Sequence, residues 1–161
     1  MKYFSGFCLC NEKELFNDFL EDKEYVVAGF SKGAQDAVDF VLNSNERVDK
    51  LQLLSPAFFD YNKKLIDINL KAFIQNKKAY IEQFLKKAGL PDFNYVCECN
   101  EKELLRLFTF NWEKIKEIKE VKIEIFLGEY DKISASKKAY DFFKSYGDVY
   151  FIKKANHFLR S

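Results

Sequence analysis

The five residues Gly29 to Gly33 are of types that could carry nucleophilic chemistry, because they place a serine between two glycines. They read Gly-Phe-Ser-Lys-Gly, the G-x-S-x-G pattern of a serine held on a sharp turn between a strand and a helix. Residues 25–28 are apolar and partly β-branched, as in a buried strand, and residues 34–42 carry apolar side chains at helical spacing. The glycines would be needed because the serine backbone is strained and neighbouring Cβ atoms would collide. A plain glycine-bounded loop is the alternative interpretation.

A nucleophilic serine requires a base, and His157 is the one histidine of the chain. Hydrolases with this turn carry their acid after the serine and before the histidine. Asp131 satisfies that order, because residues 122–127 alternate as a strand would and the chain turns directly after them. The sequence therefore predicts Ser31, Asp131 and His157 as a catalytic triad, with Glu129 as the alternative acid.

Backbone amides complete such a site, because the tetrahedral intermediate of ester hydrolysis carries a negatively charged oxygen. One donor is expected directly after the nucleophile, at Lys32, and the other in the turn that follows the first strand. We assign the second donor to Phe7, with Cys8 as the alternative. This chemistry needs no metal ion and no organic cofactor, so none is predicted.

The segments that must position these groups predict a single α/β domain over residues 1–161. Strands are predicted at residues 1–4, 25–28, 51–54, 121–127 and 148–152. They alternate with helical segments, and that alternation is typical of a mostly parallel sheet. The first helix is predicted at residues 12–20, with Asn11 as its cap and Glu14 completing a capping box.

Residues 58–113, between the third and fourth predicted strands, show no strand pattern. Helical spacing is present instead at residues 65–75, 77–88 and 101–110, with a break at 89–91. Because this segment exceeds what one crossover needs, we expect a helical lid; ordinary crossover helices are the alternative. Four of its aromatic residues are expected to line a substrate tunnel, or alternatively to form plain core: Phe58, Phe59, Phe73 and Tyr80.

The charge of the chain is nearly balanced, with 26 basic and 25 acidic residues and a net charge of +1. Nothing therefore indicates nucleic-acid binding through bulk charge. The apolar runs are too short to span a bilayer and the N-terminus shows no signal-peptide pattern, so a cytoplasmic protein is expected. Residues 60–90 carry seven lysines against three acidic residues, a local net charge of +4. This is either a solvated helix face or a docking surface for an acidic partner.

The four cysteines form two C-x-C pairs, Cys8 with Cys10 and Cys97 with Cys99. A zinc site more usually shows C-x-x-C spacing and tetrahedral ligation, so no metal is expected. In a cytoplasmic chain we expect reduced thiols that pack as small apolar groups.

The order and compact spacing of these motifs resemble the α/β-hydrolases, and more narrowly the short bacterial pimeloyl-acyl-carrier-protein methyl ester esterases of the BioV type. The resemblance covers nearly the whole chain and implies a minimal α/β-hydrolase whose lid lies between strands three and four. It is carried by Met-Lys-Tyr-Phe-Ser-Gly-Phe at 1–7, the serine turn, Leu-Ser-Pro at 54–56, residues 122–133 and Lys-Ala-Asn-His at 154–157. Lys32 departs from the family pattern, in which a smaller or uncharged residue more often follows the serine.

The resemblance implies that the substrate is the methyl ester of pimeloyl-acyl carrier protein, which would be hydrolysed to pimeloyl-acyl carrier protein and methanol in biotin precursor synthesis. The carrier is acidic, so basic residues of the lid are expected to dock it: Lys63, Lys64, Lys71, Lys77 and Lys78. Two alternatives stand beside this function. One is a generalist carboxylesterase or thioesterase, and the other is a catalytically inactive hydrolase-like interaction protein.

The resemblance also implies a shortened fold, without two early strands, a strand-helix pair before the serine strand, and a final helix. Right-handed crossovers between neighbouring parallel strands place their helices on one face of the sheet. We therefore expect the opposite face to lack cover, and a homodimer to hide it.

Overall fold

Five parallel strands form the sheet of this protein, in the order β1-β2-β3-β4-β5. The computed structural model describes residues 1–161, and its strands are β1 (Lys2–Phe4), β2 (Val26–Phe30), β3 (Lys50–Leu54), β4 (Lys122–Gly128) and β5 (Asp148–Ile152). Every neighbouring pair of strands is parallel. The predicted α/β class is therefore confirmed, and each predicted strand lies within two residues of its observed bounds.

Four of the five α-helices occupy segments that the apolar spacing predicted, whereas the last one was not predicted. The five helices are α1 (Lys32–Asn43), α2 (Lys63–Gln75), α3 (Lys77–Ala88), α4 (Glu101–Thr109) and α5 (Ser136–Phe143), with short 3-10 helices at Glu12–Phe16, Phe93–Tyr95 and Trp112–Glu117. Helices α2, α3 and α4 all lie between β3 and β4, in the segment 58–113 that we call the insert. Gly89 ends α3 in the left-handed conformation, with φ 86°, which glycine adopts readily. No helix is long and apolar enough to cross a membrane.

The main apolar core lies between one face of the sheet and α1 and α5. Ala34, Ala37 and Val38 of α1 are completely buried there, as the helical spacing of residues 34–42 predicted. Phe143 of α5 is also completely buried and packs edge-on against the ring of Trp112. Burying this layer supplies most of the stabilisation available to the sheet, because hydrophobic burial scales with the apolar area removed from water.

The opposite face of the sheet is packed by the 3-10 helix Glu12–Phe16 rather than by the capped helix that was predicted. Asn11 takes a left-handed φ of 65° and its side chain caps nothing, so the predicted capping box is wrong. The physical reason lies in Glu12, which is buried and accepts hydrogen bonds from the Tyr3 hydroxyl and the Gly6 amide. This inward carboxylate holds the chain after β1.

The expectation that this face of the sheet lacks cover is wrong, because apolar side chains pack on it. Phe16 is completely buried and lies 4.7 Å from the Phe30 ring, centroid to centroid. Further down the strands the face is polar, because Gln52 donates to Glu124 at 2.9 Å and Lys50 lies 3.6 Å from the same carboxylate. A homodimer is therefore not needed to cover this face, and the predicted homodimer stays a prediction.

The expectation of four reduced thiols is wrong, because Cys8 and Cys99 form a disulfide. Cys10 and Cys97 are free. Residues two apart on an extended segment point to the same side, so two C-x-C pairs face each other when their segments pair. The segments do pair, through an antiparallel bridge between Leu9 and Val96. That long-range pairing brings the cysteines together.

The insert is tied to α1 by charge as well as by packing. Arg106 of α4 bonds to both Asp36 and Asp39 of α1. Gln35 reaches the same helix from inside, because its side-chain amide donates to the carbonyl oxygen of Leu107 at 3.0 Å. Buried and charge-assisted hydrogen bonds of this kind stabilise more than exposed ion pairs, so α4 is held firmly on α1.

The turn between β2 and α1 is closed by direct backbone contact. A Cβ atom on Gly29 would lie 2.0 Å from the carbonyl oxygen of Gly33, and one on Gly33 would lie 2.0 Å from the carbonyl oxygen of Phe4. Neither backbone oxygen can move without displacing a strand or a helix. The prediction that only glycine fits at both positions is confirmed by these distances.

Replacing Gly29 by alanine is therefore expected to lower the free energy of unfolding by about 3 kcal/mol, the upper end of the usual cost of overpacking. Urea denaturation followed by circular dichroism measures this change. Gly6→Ala is the matched control, because its added methyl group would meet only side-chain atoms of Phe30 and Leu9. A loss in Gly6→Ala as large as that in Gly29→Ala would contradict the explanation.

Candidate active site

Ser31 occupies a strained position at the carboxyl edge of the sheet, between β2 and α1. Its φ of 56° and ψ of −113° lie outside the ordinary left-handed region, and such conformations cluster at functional sites. Its amide donates to the Leu54 carbonyl oxygen at 2.9 Å, and its own carbonyl oxygen accepts from Ala57 at 3.1 Å. The serine is thereby fixed against the end of β3, with its side chain projecting from the turn.

The structure brings together the three side chains that the sequence analysis selected. His157 Nε2 lies 2.9 Å from Ser31 Oγ, and His157 Nδ1 lies 2.6 Å from Asp131 Oδ2. All three side chains are buried, and those of His157 and Asp131 are exposed by only 2% and 1%. Serine, imidazole and carboxylate therefore form one hydrogen-bonded row that is shielded from water.

The hydrogen bonds of Asp131 assign the direction of this row. Its other oxygen, Oδ1, accepts from the backbone amides of Ile133 at 2.7 Å and Ser134 at 3.0 Å. Because Oδ1 is occupied by these two amide donors, Oδ2 is the oxygen that accepts the Nδ1 proton of His157. Nε2 is then the unprotonated nitrogen, which accepts the hydroxyl proton of Ser31.

Glu129, the alternative acid, does not join the row. It is exposed, and its carboxylate accepts from the backbone amide of Lys154 at 2.8 Å. That contact fastens the end of β5 to the turn after β4. Glu129 therefore shapes the loop that carries His157 without touching the imidazole.

His157 is held by its own loop and by aromatic rings. Asn156 closes the loop through two hydrogen bonds. Its backbone amide donates to the carbonyl oxygen of Arg160 at 2.7 Å, and its side-chain oxygen accepts from the backbone amide of Phe158 at 2.9 Å. The ring of Phe30 lies 5.0 Å from the imidazole, centroid to centroid. The residue before Ser31 thus packs directly on the base that faces it.

The two backbone amides predicted to donate to the negatively charged oxygen belong to Phe7, in the turn after β1, and to Lys32, at the start of α1. The N–H of Phe7 donates to no acceptor in the protein, and neither does that of Cys8. The Lys32 amide is the first of α1, where N–H groups have no intrahelical acceptor. The Lys32 side chain does not cross the site, because its ammonium group pairs with Asp36 at 2.8 Å.

Residues of α3, in the insert, pack close to this site. Leu85 and Ala88 of α3 are buried in the same cluster as Phe30 and Phe158, the neighbours of Ser31 and His157. Phe84, on the same helix, packs edge-on against Phe7 at 5.7 Å. These contacts leave Ser31 with only 2% of its surface exposed.

A cavity of ≈ 370 Å³ lies beside the site within the insert. It is bounded below by Lys132 and Ile133, the two residues that follow Asp131, and on one side by Phe84. The rest of its wall is mostly aromatic and amide: Phe59, Tyr61, Asn69, Tyr80, Gln83, Lys87 and Phe108. Ser31 is not among the residues that line it.

Two of the four aromatic residues predicted for a tunnel line this cavity, namely Phe59 and Tyr80. Phe58 instead packs on Phe143 of the main core, and Phe73 is buried against Phe7. Sequence reasoning missed Phe84, although it lies four residues after Tyr80 on α3 and so shares its helix face. That spacing could have found it.

The basic face of the insert is largely unpaired. Lys63, Lys64, Lys71 and Lys78 are exposed and form no ion pair, whereas Lys77 pairs with Glu98. Exposed lysines that form no ion pair within the protein are free to attract an acidic partner. No group of three or more potential ligand side chains is arranged to hold a metal ion.

No protein-family model and no curated protein sequence matches this chain. Solved structures do resemble it, including several from bacteria. An esterase from Exiguobacterium antarcticum superimposes with a TM-score of 0.66 at 16% identity, covering 82% of this chain and 59% of that one. Carboxylesterase CesB from Bacillus subtilis gives 0.56 at 18% identity, covering 91% and 57%.

MenH from S. aureus gives a TM-score of 0.62 at 13% identity, covering 96% of this chain and 85% of that one. The chain thus spans less than two thirds of the length of the two esterases and most of the length of MenH. At these identities the likeness concerns the fold. Five parallel strands with flanking helices match the fold of these neighbours, and the chain therefore has the α/β-hydrolase fold.

Proposed function

We propose that this protein is a serine esterase in which Ser31 is the nucleophile, His157 the general base and Asp131 the group that orients it. The observation that carries the proposal is the buried row of hydrogen bonds from Ser31 Oγ through the imidazole to the Asp131 carboxylate. In a catalytically inactive hydrolase-like protein, neither this row nor the strained conformation of the serine would have a function. The geometry of the site thus favours an enzyme over an interaction protein.

The reaction follows from the direction of the row. His157 Nε2 takes the Ser31 proton as Oγ attacks the ester carbonyl, and Asp131 stabilises the imidazolium that forms. The amides of Phe7 and Lys32 donate to the oxygen that becomes negatively charged, and each such donor contributes about 10²- to 10³-fold in turnover. His157 then protonates the leaving alcohol, and water hydrolyses the acyl-serine.

The insert acts as the lid of this site. Ser31 does not line the cavity, and α3 packs on Phe30 and Phe158, so we expect α3 to move when the substrate enters. A lid that returns over the bound ester would exclude water and strengthen the electrostatic contacts inside. Residues 58–113 therefore gate the chemistry as well as covering it.

The substrate that we propose is the methyl ester of pimeloyl-acyl carrier protein, which is hydrolysed to pimeloyl-acyl carrier protein and methanol in the cytoplasm. The motif resemblance supports this choice. The aromatic cavity suits an acyl chain, and the four unpaired lysines of α2 and α3 suit an acidic carrier. A generalist carboxylesterase would use the same three side chains without the carrier.

Ser31→Ala is expected to reduce turnover by about 10⁶-fold, because it removes the nucleophile of a cooperating group. A fluorophosphonate probe should label the wild type at Ser31 and leave the variant unlabelled. Mass spectrometry of the labelled peptide identifies the site. Labelling of both proteins to the same extent would contradict the proposed nucleophile.

Asp131→Asn is expected to reduce kcat by about 10⁴-fold, since an amide no longer holds the imidazole in the tautomer that accepts the serine proton. Glu129→Gln is the matched control on the same turn, and it should lose far less, because Glu129 contacts only the Lys154 amide. Steady-state hydrolysis of a p-nitrophenyl ester compares the two variants. Equal losses would show that the acid has been misassigned.

Reversing two charges on α2, with Lys64→Glu and Lys71→Glu together, is expected to raise KM for the carrier-bound ester about tenfold at low salt, through loss of electrostatic steering. Lys116→Glu with Lys119→Glu makes the same charge change near the amino end of β4 and serves as the control. The readout is the ratio of kcat/KM on the carrier-bound ester to that on a free short ester. A generalist esterase predicts that this ratio falls in neither variant.

A further inference from the structure

The four cysteines lie along one short antiparallel pairing next to the active site. The Cys97 amide donates to the Cys8 carbonyl oxygen at 2.8 Å, and the Cys10 amide donates to the Tyr95 carbonyl oxygen at 2.9 Å. The bridge between these bonds is formed by Leu9 and Val96, which pack with the apolar cluster of the second sheet face. The cysteines alternate with that pair and therefore face the other way.

The cysteines form two layers that differ in exposure and in bonding. The inner pair, Cys8 and Cys99, is joined as a disulfide, and each residue is only 4% exposed. The outer pair, Cys10 and Cys97, is half-buried and carries free thiols. Burial, followed by the contact with Cys10, raises the pKa of the Cys97 thiol to about 12.

The inner disulfide connects the two parts of the site that belong to different segments. Cys8 directly follows Phe7, whose amide is the proposed oxyanion donor, and takes a left-handed φ of 59°. Cys99 directly precedes Asn100, which caps α4. The bond therefore links the turn after β1, which we call the oxyanion loop, to the insert. Phe7 of this loop also contacts aromatic rings of α2 and α3.

We propose that these four cysteines form a thiol–disulfide exchange site, which takes a dithiol reductant and controls the link between the oxyanion loop and the insert. The outer pair receives the reductant, because its sulfur atoms are the more accessible ones. The inner pair then loses its disulfide, which is the bond between the oxyanion loop and the insert. In a reducing compartment a disulfide is typically of this transient, redox-sensing kind.

The first stage of the exchange moves the disulfide from the inner to the outer pair and consumes no other reactant. One outer thiol loses its proton, attacks the sulfur of Cys8, and displaces Cys99 as a thiolate that takes up a proton. The other outer thiol then loses its proton and attacks the outer sulfur of this mixed disulfide, and Cys8 leaves as a thiolate that takes up a proton. The disulfide now joins Cys10 to Cys97, and an external dithiol reduces it while becoming a disulfide itself.

The consequence for activity rests on the proposed esterase function. With the inner bond intact, Phe7 is covalently fastened beside α4 and its amide stays aimed at the site. With the bond reduced, the loop keeps only its packing and its hydrogen bonds to Glu12 and to the segment around Val96. Positioning errors of about 1 Å can cost about 10²-fold in rate. Reduction is therefore expected to lower kcat on a p-nitrophenyl ester about three- to tenfold, and reoxidation to restore it.

The exchange itself is tested without any activity measurement. Protein treated with dithiothreitol is quenched with acid, alkylated and digested, and mass spectrometry follows the Cys8–Cys99 peptide pair against time. Cys97→Ser should lose the inner disulfide at least tenfold more slowly than the wild type, because the exposed route is gone. In the wild type the rate should rise with pH, since the high pKa of Cys97 keeps its thiol protonated near neutrality. Equal rates in the two proteins, or four free thiols in the untreated protein, would overturn the proposal.

A second experiment tests the link to the site. The double variant Cys8→Ser with Cys99→Ser should show the low kcat of the reduced wild type and no response to dithiothreitol, while Cys97→Ser with its disulfide intact should match the oxidised wild type. Unchanged kcat on verified loss of the disulfide would refute control by this bond. Absence of fluorophosphonate labelling in every redox state would instead refute the esterase, and the mass-spectrometric result would stand apart from it.

Discussion

Backbone crowding at the turn between β2 and α1 is the constraint on which the rest of the structure depends. The first turn of α1 lies so close to the ends of β1 and β2 that only hydrogen atoms fit at Gly29 and Gly33. This contact holds Ser31 in a conformation that an isolated chain would leave. It also sets the distance between the first amides of α1 and the loop after β1, so that one packing event positions both the nucleophile and the donors around it.

Much of the fold and the three central side chains could be predicted from sequence, because they depend on local patterns. Apolar spacing marks α1, and alternation marks β4, within a residue or two. The row of Ser31, Asp131 and His157 follows from chain order once the strands are parallel, since all carboxyl ends of such strands meet at one edge. Burial of the histidine beside Phe30 was not needed for that prediction, because the chain contains no second candidate base.

Several features that escaped prediction depend on contacts that no local sequence pattern reveals. Cys8 and Cys99 are 91 residues apart, and no local pattern reveals that their segments run antiparallel. Glu12 reads as the first turn of a surface helix, yet Tyr3 and Gly6 draw its carboxylate inside. Gln52 and Glu124 stand in adjacent strands, and their mutual hydrogen bond lets a sheet face remain polar without a covering helix.

The disulfide divides the chain unevenly with respect to the site. Ser31 lies inside the covalent ring that runs from residue 8 to residue 99, whereas Asp131 and His157 lie outside it, and the imidazole is 126 residues from the hydroxyl it faces. Both cysteines and the serine are therefore synthesised well before the imidazole that faces the serine. The row of three side chains can form only after the last two strands have been made and have joined the sheet.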